Sequence, residues 1–99
     1  MKEVKAKVLA PEGLHARPAA VFVKTAQEFE CEIEVRFGER SADAKSILSI
    51  LSLGADHGAC LVITADGVDE EQALEALTRV LTESTEGVLD STREAGGSR

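Results

Sequence analysis

Cys31-Glu32-Ile33-Glu34-Val35-Arg36-Phe37-Gly38-Glu39 is the stretch on which the fold reading turns. Apolar and charged residues alternate along it. A strand's side chains switch face at every residue, so Cys31, Ile33, Val35 and Phe37 share one side, and Glu32, Glu34 and Arg36 the other. A strand dry on one face and wet on the other belongs in an antiparallel sheet covered on one side only. Gly38-Glu39 then reads as a hairpin turn into a short strand over 40–43.

The same logic extends outward. Val4, Ala6 and Val8 alternate with Lys5 and Lys7, which predicts a first strand, ended by Pro11-Glu12-Gly13. From Ala16 the period changes to helical. Ala19, Phe22, Val23, Ala26 and Phe29 form a stripe, with Lys24, Gln27 and Glu28 off it. Pro18 suits a first helical turn, where its missing N–H costs nothing, so a helix starts within a residue or two of His15 and runs to about Gln27. Ser46 is the expected cap of a short helix over Ile47, Leu48, Ile50 and Leu51, stopped by Gly54. A fourth strand is expected over 59–65. If Leu61 and Ile63 are its inward residues, Cys60 points away from Cys31's face and no Cys31–Cys60 disulfide forms. Asp69-Glu70-Glu71-Gln72 reads as the capped start of a last helix. Ala73, Leu74, Leu77, Val80 and Leu81 make its stripe, and Glu75 and Arg79 an i,i+4 pair.

The predicted order is β-α-β-β-α-β-α: an α+β open-faced β-sandwich, with a four-stranded antiparallel sheet and three helices on one face. Residues 1–83 form the expected domain, and the polar stretch 84–99 a flexible C-terminal extension.

Composition excludes several classes of function. The 99 residues are 43% hydrophobic and 29% charged, as in globular proteins, with a formal charge of −7. That charge argues against nucleic acid and anionic membranes as partners. With three Phe and neither Trp nor Tyr, aromatic stacking on bases is not available. No apolar run nears the ~20 residues of a membrane span, and residues 1–7 alternate too regularly for a signal peptide, so a cytoplasmic protein is expected. Neither metal-ligand spacing nor a P-loop is present, and no metal or cofactor is expected.

The chemistry concentrates in Gly13-Leu14-His15-Ala16-Arg17-Pro18. His15 falls between a turn and a helix start, where unpaired amides and the helix dipole favour an anion. The dipole disfavours imidazolium, leaving one ring nitrogen free as a nucleophile. Arg17 adds a planar donor fork suited to phosphate oxygens. No second carboxylate or metal set for hydrolysis accompanies them. The residues alone reach a phosphoryl acceptor or an anion site. On the same footing, Ser46 is a plain N-cap and His57 a solvated loop residue. Ala20, Lys24 and Gln27 lie off the first helix's buried stripe. The short helix has more aliphatics than one buried face needs, and Ile50 and Leu53 are read as core.

Gly13-Leu14-His15-Ala16-Arg17-Pro18-Ala19-Ala20, together with Lys45-Ser46-Ile47-Leu48-Ser49-Ile50-Leu51-Ser52-Leu53-Gly54, resembles the two signature segments of HPr, the histidine-containing phosphocarrier family of the bacterial phosphoenolpyruvate:sugar phosphotransferase system. The resemblance covers about residues 1–83. It implies a carrier rather than a turnover enzyme. Enzyme I would pass a phosphoryl group to Nδ1 of His15, Arg17 would stabilise it, and an enzyme IIA domain would receive it for sugar uptake. It further implies Ser46 as a regulatory phosphorylation site for an HPr kinase/phosphorylase. Ala16, Arg17, Ala20, Lys24, Gln27, Ile47, Leu48 and Leu51 would be the docking surface of a monomer. Other readings are a nitrogen-related phosphotransferase regulator, or an HPr-like corepressor that binds a transcription regulator.

Overall fold

Alternation along the strands builds the sheet as expected. The structure, a computed structural model, describes residues 1–82. The boundary at residue 83 and the extension over 84–99 lie outside the described residues. Strands β1 (Lys2–Lys7), β2 (Glu32–Phe37), β3 (Arg40–Asp43) and β4 (Cys60–Asp66) alternate with helices α1 (Ala16–Gln27), α2 (Ile47–Ser52) and α3 (Glu70–Thr82) in the order β1-α1-β2-β3-α2-β4-α3. The sheet order is β1-β4-β2-β3, with every pairing antiparallel. β4 therefore inserts between the first two strands and makes the sheet's centre. The register sets Ala6 opposite Leu61, and Val35 opposite both Ile63 and Ala42, so the small and branched residues of four strands share one face.

Helices cover that face. Ile33, Val35, Leu61, Ile63 and Ala65 from the sheet meet Ala19, Phe22, Val23 and Ala26 from α1, and Ala73, Leu74, Leu77 and Leu81 from α3. Each large apolar side chain so buried contributes about 1.5–3 kcal/mol relative to exposure. No polar or charged residue is buried among the described ones. On the wet face, Glu3, Lys5, Glu34 and Arg36 stand in water, and Arg36 reaches Glu3 at 3.6 Å. Strand parity also places the cysteines as expected: Cys31 is buried, Cys60 is exposed, and both are free thiols.

One cap differs from expectation. Asp69 stands just ahead of α3, and its carbonyl accepts the helix's first bond, from the Ala73 amide. Its carboxylate, however, turns away to accept from the backbone amides of Glu30 at 2.8 Å and Cys31 at 3.0 Å. Those amides lie where the chain leaves α1 and enters β2, outside both elements, and the Asp69 carboxylate is the acceptor they find. They hold the Asp69 carboxyl below its ordinary range, chiefly through the Glu30 amide. Glu70, not Gln72, supplies the reach-back bond: its carboxylate accepts from the Gly67 amide at 3.1 Å.

Candidate functional site

Two loops and the start of a helix assemble the site. Leu14 is buried, and its amide donates to the carbonyl of Ala55 at 2.8 Å, which anchors the chain immediately before His15. His15 then sits as the N-cap of α1, extended at φ −125 and ψ 164, and makes no side-chain bond to its own helix. Its carbonyl accepts the first helical bond, from the Ala19 amide. Ala16 and Arg17 thus carry the N–H groups that no earlier carbonyl satisfies, and Pro18 has none.

Ala16 has φ 43 and is the single non-glycine residue at positive φ among the described ones. Such a conformation costs on the order of 1 kcal/mol for an alanine. Followed by a helical residue, it turns successive N–H groups toward a common concavity of the kind that takes anions. α1 has no acidic residue in its first turn to compete for that position. Arg17 is exposed, and its guanidinium has no partner among the described residues.

The imidazole of His15 is half-buried, with 41% of its side chain exposed. Nε2 lies 3.1 Å from Oδ1 of Asp56. An ionised carboxylate only accepts, so Nε2 carries a hydrogen, and in the neutral ring Nδ1 then keeps its lone pair. Nδ1 has no partner among the described residues. The sequence pattern gave no sign of Asp56, which lies 41 positions away in a loop without a motif. His57 is also more than a solvated residue, because its Nδ1 meets the carbonyl of Ala10 at 3.2 Å. Cys31 offers no competing nucleophile: burial, with Asp69 nearby, pushes its thiol up to about 11. Among the described residues, no group of three or more metal-ligating side chains comes together.

Helix α2 runs back alongside α1. The segment after its C-terminus reaches His15 through Ala55 and Asp56. At its other end, the Lys45 carbonyl accepts from Gln27 Nε2 at 3.1 Å, and Lys45 Nζ donates to the Phe29 carbonyl at 2.7 Å. Ser46 caps α2 through Oγ, which accepts from the Ser49 amide at 3.3 Å. Ser46 is therefore at the end of α2 away from His15, roughly 9 Å along a six-residue helix.

Between the two ends lie exposed aliphatics. Leu48 is 77% exposed, Ile47 and Leu51 less so, while Ile50 and Leu53 are core. Ala20, Lys24 and Gln27 follow Arg17 at helical spacing on α1, all exposed, and Val21 on the same side is an exposed apolar residue that the pattern did not single out. Gln27's amide nitrogen is already engaged with Lys45, so this residue joins the two helices.

The arrangement has known counterparts. Residues 2–83 match the family model described as the PTS HPr component phosphorylation site. The chain belongs to the HPr family. It is a phosphocarrier of the phosphotransferase system, not a turnover enzyme. The phosphocarrier protein HPr of Buchnera aphidicola is 42% identical over 83 residues, spanning 84% of this chain and 98% of that one. HPr of Haemophilus influenzae is 47% identical over 75 residues, spanning 76% and 88%. Among solved structures, an HPr from Thermoanaerobacter tengcongensis superposes with a TM-score of 0.80 at 44% identity, covering 82% of this chain and 91% of that one. A structure titled as an HPr dimer from the same organism matches with a TM-score of 0.66 at 41% identity, covering 92% and 100%. Within the HPr frame, the α+β open-faced sandwich stands as expected. No helix among the described residues is long and apolar enough to cross a membrane.

Proposed function

We propose that Nδ1 of His15 accepts the phosphoryl group from enzyme I, charged by phosphoenolpyruvate, and passes it to a histidine of an enzyme IIA domain. The observation that carries this reading is the open Nδ1 on a ring whose Nε2 is occupied by Asp56, at a helix start with unsatisfied amides. Arg17 and the amides at the start of α1 hold the phosphoryl oxygens. Two nitrogens exchange the group in line, so the carrier's task is positioning and charge stabilisation.

Ala16, Arg17, Ala20, Lys24 and Gln27 of α1, with Ile47, Leu48 and Leu51 of α2, form the docking surface. Its exposed aliphatics beside Arg17 and Lys24 support this reading, because they suit an acidic partner with an apolar centre. Ser46 is both a cap and the regulatory phosphorylation site of an HPr kinase/phosphorylase. A phosphate there adds about two negative charges to the docking surface without touching His15. A transcription regulator is the further partner of the serine-phosphorylated form. The carrier acts as a cytoplasmic monomer, since one face must serve donor and recipient in turn.

Incubation with enzyme I and labelled phosphoenolpyruvate tests the reading. Acid-labile, base-stable label on the wild type and none on His15→Ala is the expected result. Equal labelling of the two proteins contradicts it.

A further inference from the structure

We infer that Asp56 is a positioning residue that fixes His15 as a nucleophile through Nδ1, an assignment that rests on the reading of His15 as phosphoryl acceptor. The Asp56 side chain is 85% exposed, so its contact with His15 would mean little on a free loop. This loop is not free. The Ala55 carbonyl accepts from the Leu14 amide at 2.8 Å, His57 Nδ1 donates to the Ala10 carbonyl at 3.2 Å, the Gly58 amide donates to the Val8 carbonyl at 2.7 Å, and the Val8 amide donates to the Ala59 carbonyl at 2.8 Å. Asp56's own carbonyl accepts from the Ala59 amide at 3.0 Å. Ties on both sides of Asp56 therefore reach the segment that leads into His15.

Gly13 permits the approach. A Cβ there would lie 2.7 Å from Asp56 Cα and 2.8 Å from the Ala55 carbonyl oxygen, and its φ of +81 is strained for any other residue. The chain thus brings Asp56 within bonding distance of His15 by removing a side chain two residues before it.

The chemistry needs such a residue. The Nδ1 lone pair forms the new N–P bond while the N–P bond of the donor phosphohistidine breaks, and that electron pair returns to the donor nitrogen. Nε2 keeps its proton throughout. The product ring is cationic, and its N–H faces the Asp56 carboxylate, as in other carboxylate–imidazole pairs that hold one tautomer and stabilise the imidazolium that forms. His57 shows the opposite setting. A carbonyl cannot donate, so His57 carries its hydrogen on Nδ1.

Ring-nitrogen shifts by 15N NMR, in alkaline buffer where imidazoles are neutral, read both tautomers in one sample. In the wild type, His15 shows N–H at Nε2 and a lone pair at Nδ1, and His57 shows the reverse. In Asp56→Ala the two His15 shifts move toward each other, while those of His57 stay in place as a check on the fold. Asp56→Asn keeps an acceptor oxygen and restores the His15 pattern. Both variants lack the charge, so their comparison isolates the acceptor: phosphorylation of the Ala variant is about threefold to tenfold slower than that of the Asn variant. An Ala variant with the wild-type His15 tautomer, or with the rate of the Asn variant, overturns the assignment. A wild type that takes up no phosphoryl group overturns the acceptor reading instead, and the tautomer comparison then judges Asp56 separately.

Discussion

Helix α2 begins on Ser46, whose hydroxyl accepts from the Ser49 amide, whereas α1 begins on His15, which has a similarly extended backbone and makes no side-chain bond to its own helix. One helix start satisfies its own donor. The other leaves its donors open, carries an alanine at positive φ and turns its imidazole to a different loop. The protein forgoes about 1 kcal/mol of capping at α1. What it keeps is a place where an anion finds unsatisfied amides, a free guanidinium and a lone pair. Sites that forgo stability in this way are where function is to be sought.

Making α1 start like α2 is the strongest way to break the contrast. His15→Ser is expected to abolish phosphorylation completely and to raise stability by about 0.5–1 kcal/mol in urea titrations, since serine caps and histidine here does not. Next in size is Arg17→Ala. Its free guanidinium is the charged donor of the site, and rapid-quench phosphorylation is expected to slow about 10- to 100-fold with stability unchanged.

Ser46 provides the reciprocal test at α2. Ser46→Asp keeps an acceptor at the cap but adds charge to the docking surface, so transfer from enzyme I falls about tenfold at low salt and recovers as salt screens it. Ser46→Ala does the opposite: stability drops by about 1 kcal/mol, and transfer stays within about twofold.

The smallest effect concerns the third helix start. The Asp69 carboxyl is held below its ordinary value of 3.8, chiefly by the Glu30 amide. On acidification the unfolded chain takes up this proton first. The carboxylate's stabilisation is therefore fully present above 3.8 and is lost as pH falls through the lower folded value. The urea midpoints of wild type and Asp69→Asn are expected to differ at neutral pH and to converge below that range.

These comparisons also mark what was legible in the sequence. Period-two alternation in Cys31–Phe37, and the change of period at Ala16, are enough for the sheet, its dry face and α1, because both elements bury one face and the pattern records it. The insertion of β4 between β1 and β2 leaves no local trace, since pairing partners far apart in sequence impose no period. Asp69 carries every local sign of a cap, yet its carboxylate goes to amides 38 and 39 positions away, which only the packed α3 brings within reach. Asp56 is the same case at the site. Gly13 and Asp56 each read as ordinary loop residues until the fold lays one backbone against the other.

Whether α1 leaves its start open so that His15 can take a phosphoryl group at Nδ1 is decided by 31P and 15N NMR of the protein after charging by enzyme I and phosphoenolpyruvate. A single N–P bond is expected, at Nδ1 of His15, with Nε2 protonated. A phosphoryl group at Nε2 of His15, or on any other residue, would contradict it.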